Sequence, residues 1–259
     1  MLAEPERTPY DLHFRLLGVS IRVHPFFWLG AALLGQSSLN LGLEYLAIWM
    51  AVVFVSLLVH ELGHALAYRH YGSNSRIVLY IFFGLAIGSP DVRGKWRRVM
   101  VSLAGPCAGF VFAGLIYGSH LAVDWGGRGS PSIVRDLYYQ LLFVNVAWGV
   151  FNLFPVFPLD GGQVSRDLCE GRWPGRGLRL SLQISVGTAA TMVIYSLMCA
   201  SSNQFGGFLD DIPWYARGTF YTAVLFALLG VQSYLLLRQT RRGSGYYYEA
   251  PDDRLPWEK

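Results

Sequence analysis

Long apolar runs recur along this chain with only short polar gaps between them, and no other feature constrains its fold as tightly. A helix that crosses a bilayer needs about 20 mainly apolar residues. Five segments meet that requirement: 45–68, 99–123, 137–157, 180–200 and 219–237. A sixth, 24–42, has a short apolar centre and is expected to span a thinned bilayer or to enter only partway. The run 77–88 is too short to span and is rich in β-branched and aromatic residues, so it reads as a strand pair or a re-entrant piece near the membrane surface. No gap would hold a second domain. The expected fold is an all-α polytopic membrane protein of about six transmembrane helices, with a short membrane-associated β-hairpin near residues 75–90.

Composition agrees. Of the 259 residues 53% are hydrophobic and only 15% charged, against roughly 25% charged in a soluble domain. The 29 Gly and 12 Pro follow no period, which removes collagen-like and low-complexity readings. The net charge of +4 is not gathered on one helix face with interleaved exposed aromatics, so no nucleic-acid partner is expected. Cys107, Cys169 and Cys199 are odd in number and lack metal-ligand spacing; all three are expected to be reduced thiols. Residues 1–22 mix acidic and basic side chains around no apolar core, so a cleaved signal peptide is not expected.

The basic residues report orientation. With six spans and an inside N-terminus, 18 of the 21 Lys and Arg fall on one side of the membrane. The positive-inside rule then puts both termini in the cytosol. The expected polytopic domain covers 1–242, and 243–259 forms a flexible cytosolic tail.

Near the cytosolic end of the second span, His60, Glu61 and His64 form H-E-x-x-H. Positions i and i+4 share a helix face, so both imidazoles can hold one Zn²⁺ while the adjacent glutamate serves as a base for water. Ionisable residues inside an apolar helix persist mainly where they face a polar cavity or a partner. A catalytic zinc site uses three protein ligands. Asp160 is the candidate for the third, because it follows a long apolar run within NLFPVFPLDGG, residues 152–162. Pro155 and Pro158 remove backbone donors there, and Gly161 and Gly162 let the chain turn, so the helix should open with Asp160 still close to membrane depth. The second and fourth spans run in the same direction, which brings all three candidates to the cytosolic side. Asp167 and Glu170 stand as alternative ligands.

The HELGH run in an apolar helix, together with the N-x-x-P-x-x-P-x-D-G-G pattern from Asn152 to Gly162, resembles the site-2 protease family of intramembrane zinc metalloproteases. The RVHP stretch at 22–25 and the SLAGPCAG run at 102–109 resemble the same family. The likeness covers about residues 12–200, with a catalytic core at about 45–162. It implies one zinc ion on His60, His64 and Asp160, Glu61 as catalytic base, and Asn152 in substrate binding or oxyanion stabilisation. It also implies a single-pass membrane protein as substrate, a lipid bilayer as surroundings, a regulatory membrane partner, and a place in a prokaryotic cytoplasmic membrane. The chain has no room for the PDZ module or the CBS repeats that many members carry, and it reads Phe83-Gly84 where members often show a Gly pair. A compact form is expected.

Other features have plainer readings. Gly105 and Gly109, with Ala104 and Ala108, make a small-xxx-small face for close helix packing. His24 is expected to be a hydrogen-bonded interfacial residue, and Arg93, Lys95, Arg97 and Arg98 to set topology and meet anionic lipid. Two other functions compete with proteolysis: a zinc transporter, and a membrane-embedded protein that grips helices without cutting. The ligands gather on one side with no relay across the other half, and Glu61 would be superfluous in a transporter.

Overall fold

The computed structural model describes residues 5–81, 83–88, 92–123, 125, 131–201 and 218–241. The tail 243–259 and most of the 201–218 loop lie outside the described residues. The chain divides into two compact units, Met1–Gly177 and Leu178–Lys259.

The first unit opens on a hairpin, β1 (Leu12–Leu16) and β2 (Val19–Val23), which the pattern of apolar runs does not signal. Leu17 and Gly18 both take positive φ, 51° and 77°, the geometry of a two-residue turn that matches strand twist. Pro25 then starts α1 (Pro25–Leu34), and His24 caps it, its Nδ1 accepting from the Phe26 amide at 3.1 Å. Gly35 ends α1, and a 3-10 turn at Gln36–Asn40 follows. The weak first span is thus a ten-residue helix and a turn.

Next come α2 (Leu43–His70), the strands β3 (Ser75–Tyr80) and β4 (Phe83–Gly88), α3 (Lys95–Ala122), α4 (Ser132–Asn152) and α5 (Asp160–Arg172). The expected hairpin at 75–90 is present as β3 and β4, but it belongs to a four-stranded sheet in the order β1-β2-β3-β4. The β2–β3 pairing is parallel and the other two are antiparallel. The all-α expectation is corrected accordingly: alternating apolar residues of β2 and β3, Val19, Ile21, Val23, Ile77 and Leu79, are buried against Phe27 of α1 and Leu57, Leu58 and Leu62 of α2. Burial of that face holds the sheet against the stretch of α2 that carries H-E-x-x-H.

In the second unit, α6 (Gly177–Ala200) and α7 (Phe220–Arg241) are apolar helices. They meet at Thr222 and Ser196, whose hydroxyls lie 3.1 Å apart.

Among the described residues, α2, α3, α6 and α7 are long and apolar enough to cross a membrane. Outward-facing Val111 and Leu115 on α3 are 63% and 67% exposed, as lipid-facing side chains are. The protein is an integral membrane protein. α4 is long enough but falls short in apolarity, because Arg135, Asp136, Gln140 and Asn145 interrupt it. One of them has a clear packing role: Asn145 donates to Ser56 Oγ of α2 at 2.9 Å and so ties α4 to α2.

Two close approaches set the α2–α3 crossing. A Cβ on Gly63 would lie 2.4 Å from the Ala104 carbonyl oxygen, and one on Gly105 would lie 2.1 Å from His64 Nε2. The small residues of α3 therefore do pack tightly, and Gly105 does so against a candidate ligand. All three cysteines are free thiols.

Candidate metal centre

His60 and His64 lie one turn apart on the buried face of α2, 3% and 7% exposed. Asp160, at the first position of α5, is 8% exposed. Between α4 and α5 the chain leaves helix for residues 153–159, where Pro155 and Pro158 fall. A Cβ on Gly161 would lie 2.1 Å from the Leu153 carbonyl oxygen, so α5 can fold back on the linker only with glycine there.

This turn delivers Asp160 to the histidines. Asp160 Oδ2 lies 3.1 Å from His60 Nε2 and 3.3 Å from His64 Nε2, and the two Nε2 atoms are 3.2 Å apart. Ligands at the usual 2.0–2.2 Å from a tetrahedral zinc ion are separated by about 3.3 Å. The triangle has that size. The tautomer fits as well: His64 Nδ1 donates to the Val101 carbonyl of α3 at 2.8 Å, which leaves a lone pair on Nε2. His60 Nδ1 is buried without a hydrogen-bond partner among the described residues. Two imidazole nitrogens and a carboxylate oxygen, all buried, are a donor set that could hold one divalent transition metal.

The other candidates fall around this cluster. Glu61 is 5% exposed, and the Ala86 amide of β4 hydrogen-bonds its carboxylate. Gly84 of β4 lies so close that an added Cβ would be 2.3 Å from Glu61 Oε1. Asn152, the last residue of α4, donates through Nδ2 to the Trp148 carbonyl at 3.0 Å. A cavity of about 130 Å³ is bordered by the three ligand candidates together with Glu61, Gly84 and Asn152.

The alternative ligands are engaged elsewhere. Asp167 Oδ1 accepts from Arg98 Nε at 2.6 Å, and Glu170 pairs with Arg166 at 3.0 Å. Burial pushes the Asp167 carboxyl above the usual carboxylate range, against the pull of Arg98. From sequence, neither Gly105 nor the Val101 carbonyl is assigned to the site, and the small-residue stripe on α3 carries only a trace of them; Gly84 is marked as part of the membrane-surface hairpin, without its contact to Glu61.

The sequence pattern of peptidase family M50 matches residues 127–194. A zinc metalloprotease of Methanocaldococcus jannaschii is 27% identical over 187 residues, 71% of this chain and 53% of that protein. The chain is similar to peptidase family M50, the site-2 proteases, over part of its length. The putative zinc metalloprotease Rip3 of Mycobacterium tuberculosis is 29% identical over 168 residues, 64% of this chain and 41% of that protein. Stage IV sporulation protein FB of Bacillus subtilis is 27% identical over 177 residues, 65% of this chain and 54% of that protein. The chain spans about half the length of the curated relatives it matches. The fold is similar to that of the solved site-2 protease from Methanocaldococcus jannaschii, with a TM-score of 0.57 and 23% identity over 87% of this chain and 94% of the other.

Proposed function

We propose that this protein is an intramembrane zinc metalloendopeptidase that cleaves a transmembrane segment of a single-pass membrane protein near its cytosolic end. The observation that carries the proposal is the triangle of His60, His64 and Asp160, with edges of 3.1–3.3 Å, beside a buried Glu61 in an apolar helix. The named activity of its relatives supports the same reading.

His60, His64 and Asp160 are the residues that would hold one zinc ion. Zinc bound in this way supplies Lewis-acid polarisation of a peptide carbonyl and makes nearby water more acidic. Glu61 takes the proton from the attacking water on a carboxylate oxygen and hands it to the leaving amide nitrogen. The Ala86 amide holds that carboxylate in place. Asn152 borders the same cavity, and its amide donates toward the oxygen that gains negative charge.

A substrate helix presents carbonyls already bonded within the helix, so it unwinds locally before attack. β4 is the outer strand of the sheet at the Glu61 side, and it receives the unwound stretch by strand addition. The reading puts the site on the cytosolic side of a prokaryotic cytoplasmic membrane, a side favoured by the basic residues that cluster at 69–98 and 158–179.

The test compares the parent protein with Glu61→Gln on a single-pass substrate in lipid nanodiscs. Cleavage by the parent and none by the variant, at equal zinc content, supports the proposal. Equal cleavage by both contradicts it.

A further inference from the structure

Asp160 begins a helix, and what fixes that helix decides where its carboxylate sits. α4 ends at Asn152, and the turns of the linker at 153–159 pack against Gly161 and Gly162 at the start of α5. The Leu159 position offers no side-chain cap to α5. The direction of the α5 axis beyond that turn depends on its other contacts.

α3 supplies them. Asp167 is seven residues after Asp160, on the same face of α5 and about 10 Å further along the axis. It is equally buried, 8% exposed, and accepts from Arg98 at 2.6 Å, the length of a strong charge-assisted bond. Beyond it, Gly171 packs against the Lys95 side chain at the start of α3. Along α3, Arg98, Val101 and Gly105 share one face at spacings of three and four. The Val101 carbonyl accepts the hydrogen bond from His64 Nδ1 and Gly105 abuts the His64 ring, while Arg98 grips α5. One face of α3 thus touches both halves of the metal site, the histidine helix and the aspartate helix.

We infer that Arg98 and Asp167 are positioning residues that hold α5 in register with α2, so that the Asp160 carboxylate meets the two imidazoles. The inference rests on the metal-site reading above and assigns to Asp167 a role distinct from ligation. With the pair broken, α5 pivots about its packed end. A shift of about 1 Å at Asp160 is large beside a ligand bond of about 2 Å.

The experiment measures zinc affinity, not proteolysis, on the full chain in nanodiscs by competition with a chromophoric chelator. Arg98→Gln, Asp167→Asn and the double variant are compared with the parent. Each single change is expected to weaken zinc binding tenfold or more, as loss of a supporting contact does. The double variant is expected to lose no more than either single one, because both remove the same contact. Arg98→Lys and Asp167→Glu serve where a stronger change prevents folding, and fall between parent and single variant. Unchanged affinity in the single variants overturns the inference, and so do losses that add. Loss in Asp167→Asn with none in Arg98→Gln also overturns it, since Asp167 would then be a ligand. Cleavage by the zinc-loaded parent is measured separately and bears on the protease reading alone.

Discussion

His60 Nε2 and Asp160 Oδ2 stand 3.1 Å apart although the two residues are separated by 100 positions in the chain. Nothing local produces that contact. It exists because α2 and α5 are both fitted to α3, and because the linker at 153–159 turns α5 back toward α2. The chemistry of the protein follows from this one convergence, and several of its parts can be separated by substitution.

Glu61→Gln keeps the size and burial of the side chain but removes the base. Cleavage is expected to fall about 10²- to 10⁴-fold, the usual contribution of a positioned base. Zinc content, measured by elemental analysis, should stay at the parent level.

Two glycines divide metal binding from proton transfer. Gly105→Ala would put a methyl 2.1 Å from His64 Nε2, and Gly84→Ala would put one 2.3 Å from Glu61 Oε1. The α3 substitution should strip zinc and activity together. The β4 substitution should lower cleavage at least tenfold and leave zinc bound. Parallel elemental analysis and cleavage assays check both.

Much of this site was legible in the sequence, for identifiable reasons. H-E-x-x-H needs only helical periodicity to put two imidazoles on one face, and α2 covers it as a single helix from Leu43 to His70. The proline and glycine punctuation around Asp160 marks a helix break, and α4 does end at Asn152 with α5 starting at Asp160. The spans at 45–68, 99–123, 180–200 and 219–237 reappear as α2, α3, α6 and α7. The β1–β2 hairpin escaped because its strands are five residues each and carry His13, Arg15 and Arg22 among the apolar positions. Its parallel pairing to β3 joins Ser20 to Arg76, a contact no local pattern announces. Gly105 read as packing alone, since sequence cannot say which neighbour a small residue makes room for.

β3 is an interior strand with partners on both sides, so proline there would damage the sheet itself. Ala86→Pro on the outer strand instead tests the contribution of β4 to the reaction as a whole. It removes the amide that holds Glu61 and blocks strand addition at that point. Cleavage should fall tenfold or more with zinc unchanged. Normal turnover by this variant would remove β4 from the mechanism.

Metal removal should be reversible. The sheet–α2 core and the α2–α3 crossing are built from apolar and small side chains that do not depend on the ion. Chelation is expected to abolish cleavage while helical circular dichroism persists, and added zinc should restore activity.

The most direct measurement is the zinc content per chain of the purified protein and of His60→Ala, His64→Ala and Asp160→Ala, by elemental analysis. About one zinc per parent chain and little in any of the three variants is the predicted result. A parent without zinc, or an Asp160→Ala protein that holds it as well as the parent, would contradict the account.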